Sequence, residues 1–229
     1  MSIKNLLNNI FKKKPEYSFI NFSEHKFSEC YKNFDYYQFF LFCGGRVAGK
    51  TQAAIRTALE KFKTPGFRAV IIHKNNLSYY RLLMEDLLRA ANFRYVMTPN
   101  TIKNARNNSE LKLDGVMRFL NTYTDQDLLI IEDAERLNNE DVKQIVDHAD
   151  KHIQSVIFCV GDLYSETPVY KFFQRSKNLL GLCMESDYRE NKYIPEFVLQ
   201  QAELMKRRIP KAYYPIWLGV PYESEENKQ

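Results

Sequence analysis

Two short stretches carry side chains whose types and order suit phosphate chemistry. The first is Gly44-Gly45-Arg46-Val47-Ala48-Gly49-Lys50-Thr51, with glycines at both ends of a tight loop and a lysine and a hydroxyl directly after it. The glycines let the backbone curl so that successive N–H groups converge on phosphate oxygens. Lys50 brings a compact positive charge to the β- and γ-phosphates, and Thr51 offers a hydroxyl to Mg²⁺. The apolar run "QFFLFC" before the loop and the helical pattern "KTQAAIRTALEKF" after it supply the strand and helix that this spacing needs. The start of that helix adds its dipole. The residues expected to hold nucleotide are Gly44, Gly45, Arg46, Val47, Ala48, Gly49, Lys50, Thr51 and Gln52.

The second stretch is Glu132-Asp133, placed after the apolar run Leu128 to Ile131. An acid at such a strand tip can hold Mg²⁺ through water, and a second acid can orient and deprotonate an attacking water. The expected metal residues are Thr51 and Glu132, and the expected base is Asp133, with Glu135 as an alternative. A carboxylate pair favours hydrolysis of the nucleotide over simple phosphoryl transfer. Arg46, inside the loop, is a candidate catalytic cation for charge developing on the γ-phosphoryl group. Its other reading is an arginine paired to a surface acid.

Other residues carry weaker signals. Arg81, Arg89, Arg94, Arg106 and Arg118 all precede the acidic strand, and any of them could serve a neighbouring subunit's nucleotide. Arg106 is favoured because it lies in the polar turn "NARNNS". The aromatic residues Phe34, Tyr36 and Tyr37 suit either adenine stacking or core packing. His148 and His152 lie one helical turn apart, but without a third ligand they read as helix surface rather than a metal site.

These residues need a scaffold, and the chain of 229 residues is long enough to bury one substantial core. Strand-like runs "FRAVIIHK", "RYVMT", "ELKLDGVMRFL", "DLLIIED", "QSVIFCVGD" and "NLLGLCMES" alternate with helical patterns "LSYYRLLMEDLLRAANF", "NEDVKQIVDHADKH" and "PVYKFFQRS". Strands apolar on both faces and alternating with helices imply an α/β domain with a mainly parallel central sheet flanked by helices. "RYVMT" and "ELKLDGVMRFL" are expected to be joined by "NARNNS". "IPEFVLQQAELMKRRIPKAYYPIWLG" is expected to close the domain with helices broken at Pro210 and Pro215.

The expected division is a peripheral segment at 1–35, an ATPase domain at 36–221 and a mobile acidic tail at 222–229. The charge run "FKKKPE" in the first of these reads as a solvated surface. A net charge of +5 is compatible with a polyanionic partner without requiring one. The four cysteines show no CxxC spacing, which fits free thiols in a reducing compartment. No run approaches the ~18 apolar residues of a membrane span, and the N-terminus does not read as a signal peptide.

Taken together, the motifs resemble the ATPase domain of the large terminase subunit of tailed bacteriophages. "FLFCGGRVAGKTQAAI" is similar to that family's "GGRGSGKT"-type loop, including Arg46. "AVIIHKNNLSYYRLLMEDLLRAANF" resembles the strand, basic residue and helix that follow it. "LLIIEDAERL" resembles the family's acidic strand, and "VGDLYSETPVYKFF" occupies the place of its coupling motif. "SDYRENKYIPEFVLQQAELMKRRIPKAYYPIWLGVP" resembles the end of the terminase ATPase region. The resemblance covers residues 38–221 and implies a P-loop NTPase fold of the ASCE, RecA-like type.

It further implies ATP hydrolysis, with ATP and Mg²⁺, coupled to translocation of double-stranded DNA into a capsid. The implied partners are DNA, the capsid portal, the small terminase subunit and further copies of the chain in a ring, a pentamer by family. The implied location is the host cytoplasm, with no membrane association. The sequence departs from the family at Glu132-Asp133, where Asp-Glu or Glu-Glu is usual, and at Gly161-Asp162, where Asn-Pro is common. The chain also ends where a nuclease domain would begin, so no nuclease activity is expected of it. The alternatives are another P-loop ATPase, helicase-like or an AAA-type remodeller, and a non-hydrolysing nucleotide-binding assembly module.

Overall fold

The computed structural model describes residues 26–73, 77–90, 94–115, 124–161, 167–175, 181–192, 194–220 and 222. The run Phe11 to Glu16, Arg118 and Asp162 lie outside them. Eight strands form one sheet: β1 (Phe39–Cys43), β2 (Arg68–Ile72), β3 (Tyr95–Met97), β4 (Thr101–Asn104), β5 (Glu110–Asp114), β6 (Gln126–Ile131), β7 (Ile153–Val160) and β8 (Gly181–Glu185). Their order is β3-β4-β5-β2-β6-β7-β1-β8. The strands from β5 to β8 in that order are mutually parallel, and β4 is antiparallel to both its neighbours.

The short helix α1 (Glu29–Lys32) precedes β1, and α2 (Lys50–Lys61) follows the phosphate loop. After them come α3 (Leu77–Ala90), α4 (Asn139–His152), α5 (Pro168–Arg175), α6 (Glu196–Arg208) and α7 (Pro210–Tyr213). The strand residues alternate between two cores. Phe40, Phe42, Leu128 and Ile130 face Ile55 and Leu59 of α2 and Met84 and Leu88 of α3. Phe39, Leu41, Leu129 and Ile131 face Val142 and Ile145 of α4 and Val169 and Phe173 of α5. Helices therefore cover both faces, which explains why the central strands read as unbroken apolar runs.

Phe27, Cys30 and Phe34 are buried in the first core, so the packed body draws on residues ahead of 36. Helix α4 begins at a capping box, with Asn138 accepting from the Asp141 N–H while Asp141 accepts from the Asn138 N–H.

Two local features differ from the sequence reading. Strand β4 was not expected, because "TIKN" has one apolar residue; Ile102 enters the core while the rest of the strand satisfies its backbone between β3 and β5. Pro215 does not break the closing helix. It sits at the start of a π-helical segment, Tyr214–Leu218, that continues from α7, so the helical hydrogen-bond spacing changes where the proline can donate none. Pro210 does mark a break, and Ile209 before it leaves the helical conformation.

Candidate functional site

The carboxyl ends of the parallel strands form one edge of the sheet, where α/β proteins bind ligands. That edge gathers the phosphate loop after β1, His73 after β2, Glu132 and Asp133 after β6, Gly161 after β7 and Ser186 after β8. Strands β1 and β6 are not neighbours, because β7 lies between them. Even so, Thr51 Oγ1 at the start of α2 donates to Glu132 Oε2 across 3.0 Å. Period-two alternation explains the reach. Leu128 and Ile130 face α2, so Glu132, the next residue of that series, points the same way.

Lys50 Nζ donates to the carbonyl oxygens of Gly44 at 2.5 Å and Gly45 at 3.0 Å, which holds the ammonium over the beginning of the loop. Glu132 is buried, whereas the Asp133 side chain is about one-third exposed. Asp133 adopts the left-handed conformation, φ 51° and ψ 40°, and so leaves the strand alternation. Its Oδ2 lies 3.5 Å from His73 Nε2 and 3.9 Å from Arg136 Nη2. Burial pushes the His73 pKa down; the Asp133 charge opposes this and Arg136 adds to it. Glu135 Oε2 accepts the Gly161 N–H at 3.0 Å, tying the turn after β6 to the end of β7.

Cys159 lies buried beside Glu132. Desolvation first, and then the nearby carboxylate, push its thiol well above the ordinary range. The loop-flanking Cys43 is likewise raised, through its hydrogen bond with Cys183 and its burial. Both are protonated thiols at neutral pH.

The closing segment packs on the phosphate loop. The Arg46 N–H donates to the Ile216 carbonyl at 2.6 Å. A Cβ on Gly45 would lie 2.2 Å from the Trp217 carbonyl oxygen, so only glycine fits there. Gly219 has φ 71°, and a Cβ on it would sit 2.8 Å from the Gly45 nitrogen. Behind this contact Trp217 stacks edge-on to Tyr188 at 5.5 Å and donates from Nε1 to Met205 Sδ. The hydroxyls of Tyr188 and Tyr213 are 2.8 Å apart. Val47 has φ 55°, a strained conformation for a β-branched residue, and its carbonyl accepts from Asn191 Nδ2 at 2.8 Å.

The expected residues therefore converge in part. Gly44 to Thr51, Glu132 and Asp133 share one edge, and Gln52 follows in the first turn of α2. Arg46 is exposed, and its guanidinium has no ion pair among the described residues. Arg81 and Arg89 pair with Glu85 on their own helix. Arg106 lies in the β4–β5 turn beside the start of β2, at the edge opposite the phosphate loop.

Phe34 is a core residue stacked near Phe40, Tyr37 packs edge-on to Phe40, and Tyr36 is exposed. All three precede β1 and lie at that opposite edge, so core packing accounts for the buried Phe34 and the half-buried Tyr37. His148 and His152 rest ring to ring on α4, and no group of metal-holding side chains occurs among the described residues. His73, Asn191 and the Trp217 carbonyl were not singled out from sequence. Only the glycines at 45 and 219 hinted at the last of these.

No protein-family model matches the sequence, and no curated protein matches it at a significant level. Solved structures do. The chain is similar to the large terminase of bacteriophage HK97, with a TM-score of 0.64 and 12% identity over 87% of this chain and 49% of that one. It is also similar to the large terminase of a thermophilic bacteriophage solved with ATP-γ-S, with a TM-score of 0.61 and 14% identity over 84% and 51%. The large terminase ATPase domain of Thermus phage P74-26 gives 0.53 and 15% over 80% and 88%.

The fold is that of the terminase ATPase domains. It is a P-loop NTPase fold with β7 inserted between the phosphate-loop strand and the acidic strand. The chain spans about half the length of the first two of these large terminases. Among the described residues, no helix is long and apolar enough to cross a membrane.

Proposed function

We propose that this chain is the ATP-hydrolysing motor domain of a viral DNA-packaging terminase. The observation that carries the reading is the Thr51–Glu132 contact, which brings the loop hydroxyl and the strand-end carboxylate together beside Lys50. Two oxygen donors of this kind fit Mg²⁺, a hard cation that takes few protein ligands and keeps most of its waters. Thr51 and Glu132 would hold it, partly through water. When bound, the metal supplies positive charge that neutralises the phosphate oxygens.

The chain's own residues do the rest. Loop amides other than those of Gly44, Arg46 and Ala48, which donate to the Val160, Ile216 and Gly45 carbonyls, cradle the phosphates, and Lys50 exchanges its carbonyl partners for phosphate oxygens, while Gln52 lines the same helix start. Asp133 accepts a proton from the attacking water. It is more exposed than Glu132 and stands free of the strand, as a base facing water must. Glu135, whose Oε2 accepts the Gly161 N–H and braces the end of β7, is the alternative base. Arg46 offers a cation from within the loop that has no ion pair among the described residues.

Double-stranded DNA, a capsid portal, a small terminase subunit and a ring of further copies are the partners that this function requires, acting in the host cytoplasm. The first test is ATP turnover by the purified chain, with and without DNA, beside Lys50→Ala and Asp133→Asn. Turnover that rises with DNA and is lost in both variants supports the motor reading. Nucleotide binding with no turnover under any condition overturns it in favour of a binding module. Turnover retained in Asp133→Asn refutes the assignment of the base.

A further inference from the structure

His73 directly follows β2, the strand beside β6, and the parallel register sets Ile72 level with Ile131. The Glu132 N–H donates to the Ile72 carbonyl at 3.0 Å, so the two strand ends are locked one residue short of the acids. His73 is held from the other side as well, since its N–H donates to the Asp114 carbonyl at 3.0 Å. Its side chain is only 10% exposed, yet it does not disappear into the core; Nε2 lies 3.5 Å from Asp133 Oδ2. Asp133 reaches this position through a left-handed backbone conformation.

We propose that His73 is a positioning residue for Asp133. Its Nε2 faces Oδ2 and leaves the other carboxylate oxygen to take the proton from water. The inference rests on the reading of Asp133 as the base. A neutral imidazole suits this task, because it orients the carboxylate without the full positive charge that would weaken it as a base. Arg136, a cation near Oδ2, is farther away and mostly in water, so it cannot fix the carboxylate in the same way. A base displaced by even about 1 Å loses up to about a hundredfold in rate, which makes a buried neighbour of this kind consequential.

The test compares His73→Ala and His73→Gln with the wild-type chain for kcat, KM for ATP and affinity for a fluorescent ADP. The glutamine amide can place an N–H near the position of Nε2. The expected result is kcat down by at least about tenfold in His73→Ala, with ADP affinity within about twofold and most of kcat restored in His73→Gln. In the Asp133→Asn background, His73→Ala should cause no further loss. If Asp133→Asn is inactive but His73→Ala keeps full kcat, the positioning role falls and the base survives. A kcat loss that His73→Gln does not restore, with lowered melting temperature in both variants, assigns His73 to structure alone and also overturns the inference. Full turnover in Asp133→Asn removes the base and this inference together.

Discussion

Thr51 and Glu132 meet across 3.0 Å although β7 separates β1, which leads into the loop before Thr51, from β6, which ends beside Glu132. The contact depends on three things at once: the loop that starts α2 at Lys50, the alternation that turns Glu132 towards α2, and the burial that keeps its carboxylate from swinging into solvent. It predicts thermodynamic linkage between metal and nucleotide. Mg²⁺ should tighten ATP binding to the wild-type chain, and Thr51→Val or Glu132→Gln should bring the ratio of affinities with and without Mg²⁺ close to one. Turnover in Glu132→Gln should fall by at least about a hundredfold. Nucleotide titration at fixed Mg²⁺ concentrations measures the ratio.

Val47 should be replaceable with profit. Its φ of 55° costs roughly 1–2 kcal/mol for a residue with a branched Cβ. Glycine removes that cost but raises the entropy lost on folding by about 0.5–1 kcal/mol. The balance predicts that Val47→Gly stabilises the chain by about 0.5–1 kcal/mol, a rise of a few degrees in melting temperature at this size. The terminase-like loop pattern "GGRGSGKT" has glycine at this place. Asn191→Ala, which removes the donor to the Val47 carbonyl, should cost about 1 kcal/mol. Thermal melts of both variants check the pair of signs.

Gly219→Ala should do more damage than its single methyl suggests. The new Cβ meets the Gly45 nitrogen and the Gly44 carbonyl carbon, both of them backbone, and the left-handed φ is strained for alanine. Overpacking of this kind costs about 1–3 kcal/mol, and the loop must shift to relieve it. The expected outcome is a lower melting temperature together with weaker nucleotide binding, although residue 219 is far from the loop in sequence. Trp217→Ala should cost about 3–5 kcal/mol by emptying the cluster behind the same contact.

Acid should weaken the fold partly through His73. The folded chain holds its pKa below the ordinary 6.5, chiefly by burial, against the opposing charge of Asp133 and with the help of Arg136. Between the two values the unfolded chain binds more protons, so stability rises with pH across that window. The contribution is fully present above the unfolded value and is lost as pH falls through the folded one. Melting the wild-type chain and His73→Gln at about pH 7.5 and about pH 5.5 should show a larger acid loss in the wild type. The other histidines are common to both proteins and cancel.

What the sequence revealed follows from where its signals are local. Gly44 to Thr51 and the run ending at Glu132 and Asp133 are each contiguous, and apolar strands flank both, so the phosphate loop and the acidic strand could be read directly. The β2–β6 adjacency is not contiguous, and the His73–Asp133 contact was invisible without it. Strand β4 escaped because one buried isoleucine in "TIKN" leaves no period to detect. Arg106 looked suitable because it lies in a loop, but strand direction puts that loop at the wrong edge. The seat of the closing segment on the loop is made by main-chain carbonyls, which leave no mark on side-chain type except the two glycines they exclude other residues from.

That seat gives the protein an optical readout. Trp217 is the chain's single tryptophan, and its own carbonyl touches Gly45 while its ring is enclosed by Tyr188 and Met205. Emission excited selectively at the indole therefore comes from one place, on a residue whose main chain packs against the phosphate loop. A nucleotide that reshapes the loop changes the surroundings of that fluorophore, so binding and release can be timed without attaching a dye.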